Sequence, residues 1–409
     1  MKISKKKQRI LHIIAWVITV AVSIVLLHFG NKAVTKELQI FQGEDTIAVA
    51  RITELGELID NSIEGTDYVS KTQIFYAQII KGSPKGKIVL AYQQMDSFSA
   101  YEDEPVKVGD VVTIYQNAYA TTGDAWLFGD YYRINKVVWL AVIFVILILV
   151  FGRIKGFNTL VSLGFTIAAV FMFFVPAVLN GYNIYILTII TCIFVIVMTL
   201  IITNGPSLKS FTTILGCAFG VVVAAFSNVI LSKVMHMSGI IDEHSVYLQY
   251  LSNGKTVDLK ALIFAMTVIG ALGAVMDVAM DISSSLSEIN YRNPELSFKE
   301  LYKSGIRIGR DIMGTMANTL VLAYAGSSLC STLLNITYSS SLLELLNREG
   351  VAVELIQSLV GSMAILLTIP LTSIVCAVLY TGKLLLTRPK KKKDKTADDA
   401  SDIQEKIAA

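Results

Sequence analysis

The sequence predicts a polytopic α-helical membrane protein of about eight transmembrane (TM) helices, with a small all-β domain between TM1 and TM2. Of the 409 residues, 54% are apolar and only 16% are charged, whereas soluble domains carry roughly 25% charged residues. The charge deficit lies in uncharged apolar runs, each near the ~20 residues that cross a bilayer. One polar segment interrupts this pattern with short β-type runs.

The first apolar run, residues 10–29, follows a basic segment at residues 1–9. A cleaved signal peptide is the alternative to a membrane helix at this position. The run is long for a signal peptide, however, and no small-x-small cleavage site follows it closely. The pattern therefore favours an uncleaved anchor, TM1, with a basic cytoplasmic N-terminus.

Residues 36–133 have the pattern of a small all-β domain. Runs rich in β-branched and aromatic residues are separated by turn signals such as Gly-Ser-Pro-Lys-Gly at 82–86. The predicted strands lie within residues 46–55, 68–80, 87–94, 111–118 and 126–133. Short strands in this number predict a closed or half-closed barrel of OB-like size. Such a domain either binds a ligand or caps the membrane part structurally, and the sequence leaves both open.

The later apolar runs predict a seven-span membrane core over residues 136–384. The predicted spans are 136–152, 157–179, 183–203, 210–232, 260–282, 312–336 and 355–384. Residues 297–309 start with a capping-box pattern, Ser-Phe-Lys-Glu, and predict a short amphipathic helix on the inner membrane face. The tail, residues 385–409, is basic and low in bulky apolar groups, which predicts disorder.

Basic residues in the short loops predict the orientation. With eight crossings, Arg153, Lys155, Lys209 and the basic group between 292 and 310 all fall on the side of the N-terminus. Both termini are therefore predicted to be cytoplasmic, and residues 30–135 extracytoplasmic. The basic ends would also suit a nucleic acid, but flanking of membrane spans explains them more simply. The expected partner is the lipid bilayer, with no nucleic acid.

Ionisable groups within the predicted spans are concentrated at Asp277 and Asp281. Their four-residue spacing places both carboxylates on one helix face. A carboxylate within a span costs about 2.5–3.5 kcal/mol on insertion scales, so either one is protonated or a cation or a hydrogen-bond donor lies between them. Alternatively, the span ends early and leaves Asp281 among the lipid headgroups. This alternative explains the position of Asp281 better than that of Asp277.

The next predicted span adds Asp311 and Asn318, seven residues apart and on a common face. Thr315, Ser283 and Ser284 are near in sequence to these groups. Carboxylate, amide and hydroxyl oxygens form a hard-ligand set, suited to Mg²⁺, Mn²⁺, Ca²⁺, Na⁺ or a proton relay. We expect no resident cofactor, but a bound cation, with Asp277, Asp281 and Asp311 as its candidate ligands.

Small residues on both of these spans predict a close helix pair. Gly270, Gly273 and Ala274 would face Gly314 and Ala317 and let the two backbones approach. Close packing around intramembrane carboxylates is typical of a polar-lined functional helix pair, but it does not identify a substrate.

Two segments give the chain a family resemblance. GALGAVMDVAMDISSSLSEI at 270–289 and GRDIMGTMANTLVLAYAGSSL at 309–329 resemble the YibE/F-like family of bacterial integral membrane proteins. The anchor, the β domain ending in DYYR at 130–133 and the multispan core agree with it. The resemblance implies a protein of the bacterial cell membrane with a polar helix pair, but it supplies no function. The family commonly has a small residue or Ser where this chain has Asp281, so a role for Asp277 follows more directly.

Two functional hypotheses arise from these residues. The first is a secondary transporter or exporter of an ion or small solute that uses the intramembrane aspartates. The second is a non-transporting membrane assembly or regulatory factor whose outer β domain binds a cell-envelope partner. A homo-oligomer, or a pair with a shorter YibE/F-like membrane protein, is compatible with either. A membrane enzyme is a third and less favoured hypothesis. The aspartates would supply a base or a nucleophile, but nothing in the sequence points to a reaction, and no Walker, G-x-S-x-G or HExxH motif is present. We therefore do not expect an enzyme.

Overall fold

The computed structural model describes residues 5–35, 47–62, 70–96, 104–116, 126–249 and 256–382, with side chains from His12 onward except those of Glu243 and Gln249. The predicted tail at 385–409, and the side chains of the basic N-terminal segment, lie outside the described residues. The chain divides into two compact units. One comprises Met1–Leu38 and Ile154–Ala409, and the other comprises Gln39–Arg153.

The smaller unit contains a five-stranded closed β-barrel. Its strands are β1 (Ile47–Asp60), β2 (Ser70–Lys81), β3 (Ile88–Asp96), β4 (Val111–Gln116) and β5 (Trp126–Tyr131). They close in the order β1-β2-β3-β5-β4, with β4 returning to β1. Only β3 and β5 are parallel among these neighbours. The all-β domain expected from the alternating runs is therefore present.

Alternation of small and large side chains fills the barrel interior. Ala77 on β2 pairs with Ile52 on β1, and Ala91 on β3 pairs with Trp126 on β5. All four side chains are buried, together with Phe75. Small residues opposite large ones allow a narrow barrel to be filled without voids. The barrel thus has a core of its own, separate from that of the helices.

The remaining chain is helical. The helices are α1 (Lys5–Thr35), α2 (Ile134–Ala168), α3 (Val175–Leu179), α4 (Ile184–Asn204), α5 (Leu208–Val234), α6 (Glu243–Gln249), α7 (Leu259–Arg292), α8 (Phe298–Ser327), α9 (Leu329–Thr337), α10 (Leu342–Asn347) and α11 (Glu349–Thr381). A π-helical segment, Ala169–Phe174, joins α2 to α3. The predicted capping box of Ser297 and Glu300 is confirmed, but α8 runs on without a break into the next predicted span.

Within the described residues, six helices are long and apolar enough to cross a membrane. A seventh crossing is added if α8 and α9, which meet at a 60° bend, form one span. The spans predicted at 136–152 and 157–179 form one apolar stretch, Ile134–Leu179, with a backbone break at Arg153 (φ 47°, ψ −127°). α7 continues to Arg292, well past the predicted end at 282, so the helix does not stop at Asp281.

The core of the larger unit forms around α11, which packs against α5, α7 and α8. Val360, Ala364 and Ile365 of α11 are fully buried, as are Val275 and Val278 of α7. Pro370 lies inside α11 and does not end the helix. This arrangement turns one face of α7 and most of α8 away from the core.

Candidate functional site

α7 carries Asp277 and Asp281 on the face that points away from the core. Val278 and Ile282, each one residue further along the helix, are fully buried, whereas both aspartates are exposed. Because residues four apart lie on one helical face, the two carboxylates share the outward side of α7.

α8 turns its polar residues outward in the same way. Asp311, Thr315 and Asn318 are exposed, while Gly309 is buried on the inner face. Nine residues separate Gly309 from Asn318. At roughly 100° per residue this amounts to about two and a half turns, so the two residues lie on opposite faces. The polar groups predicted to form a site therefore occupy the outer faces of two neighbouring helices.

The three aspartates do not form a metal-binding cluster within this chain. In the part of the chain that the structure describes, no three His, Cys, Asp or Glu side chains lie close enough to hold a metal ion. Asp277, Asp281 and Asp311 therefore do not form a ready-made set of three ligands, and a cation bound there would need other ligands as well.

The small residues predicted to join α7 and α8 behave differently from one another. A Cβ at Gly270 would overlap the Tyr324 hydroxyl, which marks a close approach. At Gly273 and Gly314 no atom lies within 4 Å of the position of a Cβ. The other two predicted residues are half-buried: Ala274 and Ala317. The helix pair is therefore close at Gly270 and open at Gly273, nearer to the aspartates.

α8 makes its closest approach to α11 instead. A Cβ at Gly305 would overlap Ser373 Oγ, and one at Gly309 would overlap Ile369 Cγ2. Because this Gly-x-x-x-Gly face packs inward, Gly314 and Asn318 are turned outward. This is the physical reason why Gly314 is open in the structure.

α5 approaches an adjacent face of α11, about 100° round the helix, through a second Gly-x-x-x-Gly pair. A Cβ at Gly216 would overlap Thr372 Oγ1, and one at Gly220 would overlap Thr368 Oγ1 while lying 2.5 Å from Val275 Cγ1. Both glycine pairs have a spacing typical of close membrane-helix contacts. The sequence analysis did not select these four glycines. Their spacing is visible in the sequence and is the signal that would have found them, but it does not indicate α11 as the partner.

A buried polar cluster joins α5, α7 and α11. Thr212 Oγ1 lies 2.6 Å from Ser283 Oγ and 3.0 Å from the Tyr380 hydroxyl, and the last two oxygens are 3.2 Å apart. At the edge of the cluster, Lys209 Nζ donates to Ser284 Oγ at 3.0 Å. The predicted site residues Ser283 and Ser284 are therefore bound to α5, not to the aspartates. No local motif connects these groups, since Thr212 and Tyr380 are 168 residues apart.

The α5–α7 connection is tied to the start of α11. The Glu349 carboxylate accepts hydrogen bonds from the Ser238 hydroxyl (2.7 Å) and the Gly239 N–H (2.5 Å). In the same connection, Asp242 accepts from the hydroxyl and N–H of Ser245 at 2.6 and 2.8 Å. These two hydrogen bonds hold the pKa of Asp242 below its usual value, and the bond from the Ser245 hydroxyl has the larger effect.

Comparison with known proteins identifies the family. The profile described as YibE/F-like protein matches residues 140–382, which include both polar helices and the buried cluster. No curated protein and no solved structure matches the chain. Because the match covers more than half of the sequence and confirms the resemblance seen in the motifs, the chain belongs to the YibE/F-like protein family.

Proposed function

We propose that this protein is a secondary transporter or exporter of an ion or small solute, and that the outer polar face of α7 and α8 forms its pathway. The observation that carries the proposal is the exposure of Asp277 and Asp281 on α7 and of Thr315 and Asn318 on α8. α7 is a candidate membrane span, and α8 is one when it is taken together with α9. Polar groups on lipid-facing helices are costly, and in membrane proteins they usually line a water-filled or substrate-filled path.

The two aspartates supply the coupling in this proposal. Ionised carboxylates one turn apart repel each other, so binding of a proton or a cation between them is favoured. The absence of side chains at Gly273 and Gly314 leaves room beside the two aspartates. Thr315 and Asn318 offer hydroxyl and amide groups to a small polar solute. The bound species is a transported or coupling ion, and the proposal includes no resident cofactor.

A second subunit would shield this polar face from lipid. The Thr315 hydroxyl already donates to the Ile312 carbonyl at 2.9 Å. Asn318 offers amide N–H donors and the aspartates offer acceptors, so the face is complementary to a second copy of itself. No residue of α9 or α10 is buried within the chain. We therefore propose a homo-oligomer, or a pair with a shorter membrane protein of the same family, with the pathway at the junction.

We further propose eight crossings of the bacterial cell membrane, with both termini cytoplasmic. The stretch Ile134–Leu179 has 46 residues, about 69 Å of helix, which is more than twice the hydrocarbon thickness. The break at Arg153 would divide it into two spans, and α8 with α9 would form one. The basic loops then lie inside, and the barrel, which we take to be OB-like, lies outside.

A cysteine-labelling experiment tests this topology. Cys330 is the exposed member of the natural cysteines, so Cys330→Ser provides the background. Lys85→Cys, in the β2–β3 turn, should react with a membrane-impermeant maleimide applied to spheroplasts. Lys303→Cys, near the start of α8, should react only after lysis. Labelling of both residues in intact spheroplasts would contradict the topology.

Asp277→Asn tests the transport proposal. The change keeps the size of the side chain and removes its charge and its capacity to take up a proton. We expect it to abolish the function. A deletion strain that carries this variant should therefore show the same ion and metabolite imbalance as the deletion strain without any copy of the gene. Glu288→Gln is the matched control, because Glu288 lies on the same helix and pairs with Arg292 at 2.8 Å on the surface.

Equal expression and equal unfolding temperatures of the two variants are required for this comparison. If Asp277→Asn restores the deletion strain as fully as the wild type does, the aspartate is not part of a transport mechanism.

A second candidate is the assembly or regulatory factor. It is favoured by the exposed apolar surface of the barrel, where Leu55, Leu58 and Ile59 of β1 are 39–47% exposed. Exposed apolar groups of this kind mark binding surfaces. A full-length Leu58→Lys variant that loses function, while Asp277→Asn retains it, would select this candidate over transport.

A further inference from the structure

The first half of α8 carries a basic stripe on the side that points away from the core. Four exposed cations form this stripe: Lys299, Lys303, Arg307 and Arg310. At about 100° per residue they fall within an arc of about 80°, over a length of about 17 Å. The buried residues of the helix lie on its opposite side: Leu301, Gly305 and Gly309. The packing of α8 on α11 therefore turns the basic stripe outward.

The basic stripe has no partner of opposite charge in the fold. Among the described residues, none of its four cations takes part in an ion pair. Of the two acidic residues on α8, Glu300 is engaged by the N–H and hydroxyl of Ser297 in the capping box, and Asp311 is exposed. Like charges one turn apart on a helix repel each other, so an anion bound between them is favourable.

The basic stripe ends where the apolar part of α8 begins. No Asp, Glu, Lys or Arg occurs from Ile312 to Leu343, and α8 taken together with α9 is a candidate membrane span. Arg307 and Arg310 thus lie at the end of this span, where basic residues meet the lipid headgroups. The two lysines of the stripe lie about 6 and 12 Å further from the span than Arg307.

Beyond the two arginines, the same face of α8 is small and apolar. Arg307, Arg310, Gly314, Ala317 and Val321 follow one another at alternate intervals of three and four residues, so they share one face of the helix. No atom lies within 4 Å of the position of a Cβ at Gly314, and Val321 is 40% exposed. An acyl chain has room to lie along the helix directly beside the two guanidinium groups.

We propose that this face binds one anionic phospholipid, with the phosphate held by Arg307 and Arg310 and an acyl chain along Gly314, Ala317 and Val321. A guanidinium group pairs with two phosphate oxygens at once. The apolar continuation of the face favours a lipid over a soluble anion. Because the arginines have no carboxylate partner, they favour a lipid whose phosphate charge is not offset by an ammonium group of its own.

The lipid site does not depend on the transport proposal. Its centre lies about a quarter turn round α8 from the centre of the polar face that we assign to the pathway. Loss of lipid binding with intact transport, or the reverse, therefore separates the two proposals.

Lipid binding by the full-length protein in a nonionic detergent tests the site. The probes are dioctanoyl phosphatidylglycerol, which is anionic, and dioctanoyl phosphatidylethanolamine, which is zwitterionic. Native mass spectrometry gives the apparent Kd of the first bound lipid, and we expect tighter binding of the anionic lipid. A cation near an anionic headgroup contributes about fivefold in affinity. Arg307→Gln combined with Arg310→Gln should therefore weaken the binding of phosphatidylglycerol about 25-fold.

Lys299→Gln combined with Lys303→Gln is the matched control, because it removes the same charge from the same face of the same helix. It should weaken the binding of phosphatidylglycerol by less than about threefold, since these lysines lie further from the span. Arg307→Lys combined with Arg310→Lys retains the charge and should keep the preference for the anionic lipid. All three double variants should unfold at the temperature of the wild type, because the four side chains are exposed.

Equal affinities of the wild type for the two lipids would overturn the proposal. Equal weakening by the two glutamine pairs would overturn it as well, because the attraction would then be spread over the whole basic stripe. Displacement of phosphatidylglycerol by an equal concentration of glycerol phosphate would show a site for a soluble anion instead of a lipid.

Discussion

Replacement of Gly309 by valine is expected to disrupt the packing of α8 on α11. A Cβ at this position would overlap Ile369 Cγ2 and lie 3.0 Å from its Cγ1. Ile369 is itself buried and β-branched, so its side chain has few alternative rotamers. Relief therefore requires α8 to move away from α11. Overpacking of a core costs about 1–3 kcal/mol or more, and we expect a value at the upper end.

The measurement is the unfolding of the purified protein in detergent, induced by heat or by denaturant. Gly314→Val is the matched control, because it adds the same side chain to the same helix at a position with no neighbouring atom within 4 Å. It should unfold as the wild type does, although its effect on function is a separate question. If the two variants are equally destabilised, α8 does not pack on α11 through Gly309.

Removal of Tyr380 should have the second large effect. Tyr380 is buried, and its hydroxyl lies within 3.0–3.3 Å of Thr212 Oγ1, Ser283 Oγ and the Ser283 carbonyl. Truncation of a buried aromatic residue to alanine costs about 3–5 kcal/mol. Tyr380→Phe keeps the ring and removes only the hydroxyl. Interhelical hydrogen bonds in membranes average about 0.6 kcal/mol and reach about 1.7 kcal/mol, so we expect a smaller loss for this variant.

A double-mutant cycle shows whether the hydroxyl groups act together. Tyr380→Phe combined with Ser283→Ala should cost less than the sum of the two single changes, because the groups share one network. Tyr291→Phe is the control, since Tyr291 is exposed on the same helix as Ser283. Strict additivity of Tyr380→Phe and Ser283→Ala would show that the cluster is not a cooperative contact between α7 and α11.

The membrane helices and the barrel were predictable because their signals are local. An apolar run long enough to cross a bilayer is visible without reference to the rest of the chain. The alternation around Phe75 and Ala77 on β2 likewise indicates a strand with one buried face. The capping box at Ser297 was read from four consecutive residues, and the structure contains it.

Which helices pack against each other, and through which faces, was less predictable. Gly273 and Gly314 suggested a close pair by composition, yet the inner face of α8 is set by Gly305 and Gly309. Small residues allow a close approach on any face that carries them. Which face is used depends on the partner helix, and α11 lies far along the chain from α5 and α7.

The sequence by itself determined that this protein is rich in helices long and apolar enough to span a membrane, that it carries a separate β domain, and that it is similar to the YibE/F-like family. It also placed Asp277 and Asp281 on one helical face, because helical periodicity alone requires this. Only the tertiary structure decided that this face points outward, since the packing of α7 and α8 around α11 depends on contacts between distant residues.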